Sequence, residues 1–137
     1  MRQSDAPIAA IATGLVPAAL AVIRLSGEST VELLTQAFSR PHALTASAGH
    51  TIHHGTIIGS DGTALDEVLV HLYRAPRSYT GEESAEISCH GSPAGVRRIL
   101  ERLLQIGFAA AEPGEFPRRA FLNGKLDLPP ANHVHTN

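Results

Sequence analysis

The sequence predicts an α+β fold for these 137 residues. Three observations point to it: short β-branched runs bounded by Gly- and Pro-containing turns, stretches whose apolar side chains recur at helical spacing, and the order in which the two alternate. That order is strand, strand, helix, strand, strand, strand, helix, strand, helix. Its natural architecture is a mixed or largely antiparallel sheet with helices packed on it. The length suits one domain. With 4% aromatic residues and no tryptophan, the core must rest on Val, Ile, Leu and Ala.

Residues 8–13 read as a short buried strand ending in a turn at 14–17, and residues 19–25 as a second strand closed by Ser26-Gly27. Ser29, three residues before Glu32, has the spacing of a capping box and starts a helix striped by Leu33, Leu34, Ala37 and Phe38. Pro41 is expected to end any helix, leaving 39–49 as loop. Residues 51–58 and 67–73 are strand candidates around the turn-forming Ser60-Asp61-Gly62. The second is apolar on both faces, which predicts a central strand covered on each side. After a polar loop at 74–83, residues 84–90 alternate, with Ala85, Ile87 and Cys89 on one face and Ser84, Glu86, Ser88 and His90 on the other.

The clearest helix is 92–106. Ser92 suits its N-cap, Pro93 its first position and Gly107 its stop, while Val96, Ile99, Leu100, Leu103 and Leu104 form its apolar stripe. A short strand at 108–111 and a helix at 115–122, with Glu115 at its positive end, complete the reading. Pro129-Pro130 and the short polar stretch after them predict a poorly ordered tail over 129–137.

Eleven basic and thirteen acidic side chains give a formal charge of −2. No broad positive field recommends nucleic acid or an anionic membrane, although arginines cluster between Arg97 and Arg119. The apolar run at 8–23 is interrupted by Thr13, Gly14 and Pro17 and lacks the basic start and cleavage site of a secretory signal. A soluble cytoplasmic protein, without a membrane partner, is the expectation. One cysteine excludes an internal disulfide and fits a reducing compartment. No G-x-x-x-x-G-K-[ST] phosphate loop is present, so GTP binding by a P-loop is excluded for this chain.

Cys89-His90 has the composition of a nucleophile and base, but neighbours on a strand face opposite ways, so a buried structural cysteine is the better account. Eight histidines, among them His53-His54 and His133-x-His135, match no metal-site spacing, and no metal is expected. Glu86 lies mid-strand on a polar face. From pattern alone a solvent-facing sheet surface explains it best, yet a carboxylate there could also accept two N–H donors from a heterocycle. Arg24 either marks a strand end or grips a ligand carboxylate. Lys125, after Asn123-Gly124, reads as a solvated loop lysine.

Five stretches taken together resemble one known family. They are Ile8-Ala-Ala-Ile-Ala-Thr13 with Val22-Ile-Arg-Leu-Ser-Gly27; Asp66-Glu-Val-Leu-Val70; Arg74-Ala-Pro-Arg-Ser-Tyr-Thr-Gly-Glu82; Ala85-Glu-Ile-Ser-Cys-His-Gly91; and Glu112-Pro-Gly-Glu-Phe116 running into Arg119-Ala-Phe-Leu-Asn-Gly-Lys-Leu-Asp-Leu128. In this order they resemble the amino-terminal domain of the MnmE (TrmE) tRNA-modification GTPases, over nearly all of 5–128. The resemblance implies a domain at 1–128 akin to the folate-binding domain of the glycine-cleavage T-protein. It implies binding of 5-formyltetrahydrofolate or a related reduced folate, and homodimerisation. Carried over by position, the cofactor-binding residues are Arg24, Glu86 and Lys125, with Glu86 on the amino-pyrimidine edge of the pterin. In the intact family members a GTPase domain using GTP, Mg and K follows. With the flavoprotein MnmG it acts in carboxymethylaminomethyl modification of the tRNA wobble uridine.

The chain departs from the family at Thr13-Gly-Leu-Val-Pro17, where a Pro-Pro-Gly-x-Gly-like loop is usual, and at Ser92, where a second Gly follows His-Gly. It also departs after Leu128, where the family continues into a Gln-Ala-Glu-rich helix. An excised domain with a foreign tail and a truncated gene both fit that ending. No catalytic residue and no turnover are expected of the domain alone. Two competing functions are a stand-alone one-carbon transferase acting on bound folate, and an RNA-binding module using Arg97, Arg98, Arg102, Arg118 and Arg119.

Overall fold

Residues 6–12 and 18–125 are described by the computed structural model. Residues 13–17, expected to end the first strand in a turn, and the tail at 129–137 lie outside the described residues. Ten elements alternate as β1 (Ile8–Ile11), β2 (Ala18–Ser26), α1 (Thr30–Leu34), α2 (Pro41–Thr45), β3 (Thr51–Ile58), β4 (Ala64–Tyr73), β5 (Ser84–Gly91), α3 (Pro93–Ile106), β6 (Ala109–Ala110) and α4 (Glu115–Leu122). The six strands form one sheet in the order β3-β4-β5-β2-β1-β6. Every pairing is antiparallel except β1 with β6, so the sheet is mixed and the fold is α+β.

Strand alternation sorts the side chains. Ala21, Ile23 and Leu25 of β2, Val68, Val70 and Leu72 of β4, and Ala85, Ile87 and Cys89 of β5 are at most 3% exposed and share one face. Helix α3 covers that face with Val96, Ile99, Leu103 and Ile106, joined by Val31 and Leu34 of α1 and Leu44 of α2. The Ser92 side chain accepts from the Gly95 amide, capping α3 as its sequence predicts. Gly107 ends the helix at φ +128°, where a side chain would be strained and would also meet Leu33.

Three sequence expectations change. Pro41 opens the short helix α2 at its first turn, where the missing N–H costs nothing, so 39–49 is not all loop. Ser29 makes no side-chain cap bond; Thr30 Oγ1 instead donates to the Gly27 carbonyl. β4 is interior to the sheet, but among the described residues it is covered on one face only, and Leu69 is 40% exposed on the other. Three of the four described helices lie on one side, and among the described residues nothing covers the middle of the second face.

α4 closes one end of that second face. Ile8 belongs to it, opposite Ser26, which is opposite Ser84. Ile8, Phe116 and Ala120 are buried there, apart from the main core. The 74–83 segment is tied to the same end, and a cleft opens between sheet, segment and helix.

Candidate functional site

A cleft of about 580 Å³ opens between the sheet, the 74–83 segment and α4. Its volume is that of a small-molecule site. Two transverse rows of the sheet make its floor. In one, Arg24 stands directly opposite Glu86, which stands opposite His71; in the other, Ser26, Ser84 and Tyr73 are in register. Arg77, Ser78, Tyr79 and Thr80 form one wall, and Phe116 and Lys125 the other.

Arg24, Glu86 and Lys125 all line this one cleft. Sequence pattern had isolated each as an odd charge but could not bring them together. Arg24 and Glu86 are also partners. Arg24 Nε donates to Glu86 Oε2 at 3.0 Å, with both side chains part-exposed at 42% and 33%. The register makes this pair, because both residues fall on the same row and face. Glu86 Oε1 accepts no hydrogen bond among the described residues, which leaves the carboxylate able to take N–H donors from a ligand while Arg24 fixes its orientation. Lys125 Nζ donates to the Pro76 carbonyl at 3.0 Å and holds the end of α4 against the 74–83 segment.

A buried polar network fixes the cleft's walls. Arg119 of α4, 2% exposed, donates from Nη2 to Glu115 at 2.9 Å and to the Ala6 carbonyl at 2.6 Å, and from Nη1 to Glu82 at 3.1 Å. Ser26 Oγ donates to the same Glu82 oxygen at 2.6 Å and lies 2.6 Å from Thr80 Oγ1. The Asn123 amide donates to the Thr80 carbonyl at 2.9 Å. Gly81 approaches so closely that a Cβ would come within 2.9 Å of Asn123, at a φ of +83° that favours glycine. The 74–83 segment thus carries four side chains into the cleft from a base clamped to both sheet and helix. Arg74 and Glu83, the first and last residues of the segment, pair at 2.5 Å and join its two ends.

Pattern reading missed Arg77, Tyr79, Thr80, Tyr73 and His50 as lining residues. A polar loop shows no periodicity from which side-chain direction could be read. His50 and Tyr73 meet edge to face at 5.5 Å between ring centres, a contact between residues 23 positions apart that only the β3–β4 pairing creates.

Cys89 lies on the core face beside Ile87, 1% exposed, while His90 points away and binds Asp66 through Nδ1 at 2.7 Å. Burial, with a lesser push from Asp66, raises the thiol to about 11. The thiol form is favoured in the fold, so this group's contribution to stability holds at neutral pH and fades as pH rises from the ordinary thiol value towards 11. Cys89→Ser should cost about 1–3 kcal/mol in urea unfolding by burying a hydroxyl, while native protein at pH 7 resists bulky thiol reagents. Fast labelling would contradict that placement.

Among the described residues no group of three or more His, Cys, Asp or Glu side chains could hold a metal ion. No helix of the described residues is long and apolar enough to cross a membrane. The arginine cluster does not present a single patch. Arg119 is internal, and Arg102 donates to the Ile58 and Gln36 carbonyls, leaving Arg97, Arg98 and Arg118 exposed.

With this geometry in hand, the family described as GTP-binding protein TrmE N-terminus matches residues 7–125. The chain belongs to that family. It is 50% identical over 134 residues to a tRNA modification GTPase MnmE of Borrelia turicatae, covering 97% of this chain and 29% of that protein. A protein of the same description from Treponema denticola is 48% identical over 94% of this chain and 28% of its own length. One from Salinibacter ruber is 48% identical over 98% and 29%. The chain therefore spans about three tenths of the length of the curated relatives it matches, and corresponds to the amino-terminal domain of MnmE.

Proposed function

We propose that this TrmE amino-terminal domain binds a reduced folate of the 5-formyltetrahydrofolate type in the cleft and holds two copies of the chain together, as part of a cytoplasmic tRNA-modification GTPase that works with a flavoprotein on tRNA. One observation carries the folate reading: Glu86, Arg24 and Lys125, far apart in sequence, line a single cleft. The Glu86 carboxylate suits the paired donors of the pterin's amino-pyrimidine edge. The aromatic ring of Tyr79 on the wall offers stacking surface, and the cations suit the ligand's carboxylates.

The self-association reading draws support from the open sheet face. Leu20, Ile52 and Leu69 are 61%, 62% and 40% exposed, and their register gives all three the face opposite the core. Large apolar side chains gathered on one uncovered sheet face are what a two-fold partner would cover. Light scattering at tens of micromolar should give twice the chain mass for wild type and the chain mass for Leu69→Lys. A monomeric wild type would refute the dimer. In parallel, calorimetry with 5-formyltetrahydrofolate should give one site per chain, and absence of binding at millimolar ligand would refute the folate reading.

A further inference from the structure

Among the described residues the charges of the cleft are not balanced. Three cations, Arg24, Arg77 and Lys125, line it with one carboxylate, Glu86. The Arg24–Glu86 pair neutralises two of these. Among the described residues every other carboxylate near the walls is engaged by a different cation: Glu83 by Arg74, and Glu82 and Glu115 by Arg119. Arg77 and Lys125 are left, and among the described residues neither has a carboxylate within 4.0 Å. The Lys125 ammonium sits on the carbonyl of Pro76, the residue just before Arg77, so the two surplus charges share one side of the cleft. Both residues are exposed, whereas the Glu86 pair is part-buried on the sheet floor. The cleft is thus polarised, with an N–H acceptor on its floor and an anion-attracting rim.

Resting on the reduced-folate reading, we propose that Arg77 and Lys125 form a rim subsite for the γ-linked glutamate chain of the ligand, so that the domain prefers oligoglutamyl over monoglutamyl folates. Each added glutamate contributes one more carboxylate, and an exposed rim with two uncompensated cations attracts the second and third more than it attracts the first alone. The contacts are solvent-exposed, so each is modest and weakens with salt. Because Arg77 makes no side-chain hydrogen bond or ion pair among the described residues, its replacement removes charge without disturbing the fold.

Calorimetry on the chain with 5-formyltetrahydrofolate as the monoglutamate and as the triglutamate tests this. Wild type should bind the triglutamate about fivefold to tenfold more tightly in dilute buffer, falling below about twofold at 0.5 M salt. Arg77→Ala should bring the low-salt ratio below about twofold, and Arg77→Glu should reverse it, with urea unfolding of both variants unchanged. Equal affinity of wild type for the two ligands overturns the rim subsite and leaves the folate reading standing, as does an undiminished preference in Arg77→Glu. Failure of both ligands to bind overturns both readings.

Discussion

Replacing Arg119 by methionine is expected to destabilise the domain by about 3–5 kcal/mol, the largest effect of any single substitution proposed for this chain. Arg119 is 2% exposed and holds Glu115, itself 2% exposed, as well as Glu82 and the Ala6 carbonyl. Methionine preserves much of the volume but removes the buried guanidinium that bonds both carboxylates, leaving Glu115 the more distant Arg118 at 4.0 Å. The double variant Arg119→Met/Glu115→Gln should recover part of the loss, because a neutral amide tolerates that buried site better than a carboxylate that has lost its closest cation. Urea unfolding of the three proteins measures both effects. A cost below about 1 kcal/mol for Arg119→Met would show that the network does not fasten α4 and the 74–83 segment to the sheet.

Glu86→Gln should have the opposite profile, leaving stability nearly intact and weakening folate binding about tenfold or more. The Arg24–Glu86 pair is part-exposed, and pairs of that kind contribute about 0–1 kcal/mol to stability. In binding, the same carboxylate can meet two N–H donors at once. Glutamine has one oxygen to offer and turns an N–H₂ group towards those donors, a loss of about 1.5–3 kcal/mol. Arg24→Ala should weaken binding by less, since it removes the group that orients Glu86. Paired unfolding and calorimetry curves separate the two roles. Undiminished affinity in Glu86→Gln would mean that the pterin is held elsewhere.

These two residues also mark what could and could not be read from the sequence. The α3 helix was fully legible, because Ser92, Pro93 and Gly107 punctuate a clean apolar stripe at helical spacing. So was β5, whose alternation put Cys89 inward and His90 outward. Pro41 misled, since proline forbids a helix interior and favours a helix start, and only the surrounding packing chooses between them. The run at 68–72 misled in another way: its apolar character reports what its side chains could bury, not what the chain supplies to cover them.

The site was legible as isolated anomalies. Arg24 and Glu86 stood out as charges in strands, but that they face each other is a fact of register, which pattern does not carry. Arg119 reads in the sequence as one of a cluster of surface arginines, because nothing local signals that a helix will turn it onto Glu82, 37 residues away. Arg77 and Tyr79 sit in an irregular segment whose side-chain directions come from its clamps to Asn123 and Ser26, all of them non-local.

The most direct test of the central claim is an amide chemical-shift titration of the chain with 5-formyltetrahydrofolate. The cleft reading predicts the largest changes at Arg24, at residues 77–80, at Glu86 and at Lys125, all moving with one dissociation constant, and little change along α3. Shifts centred instead on the groove between residues 59–65 and 98–105, or no shifts at millimolar ligand, would contradict it.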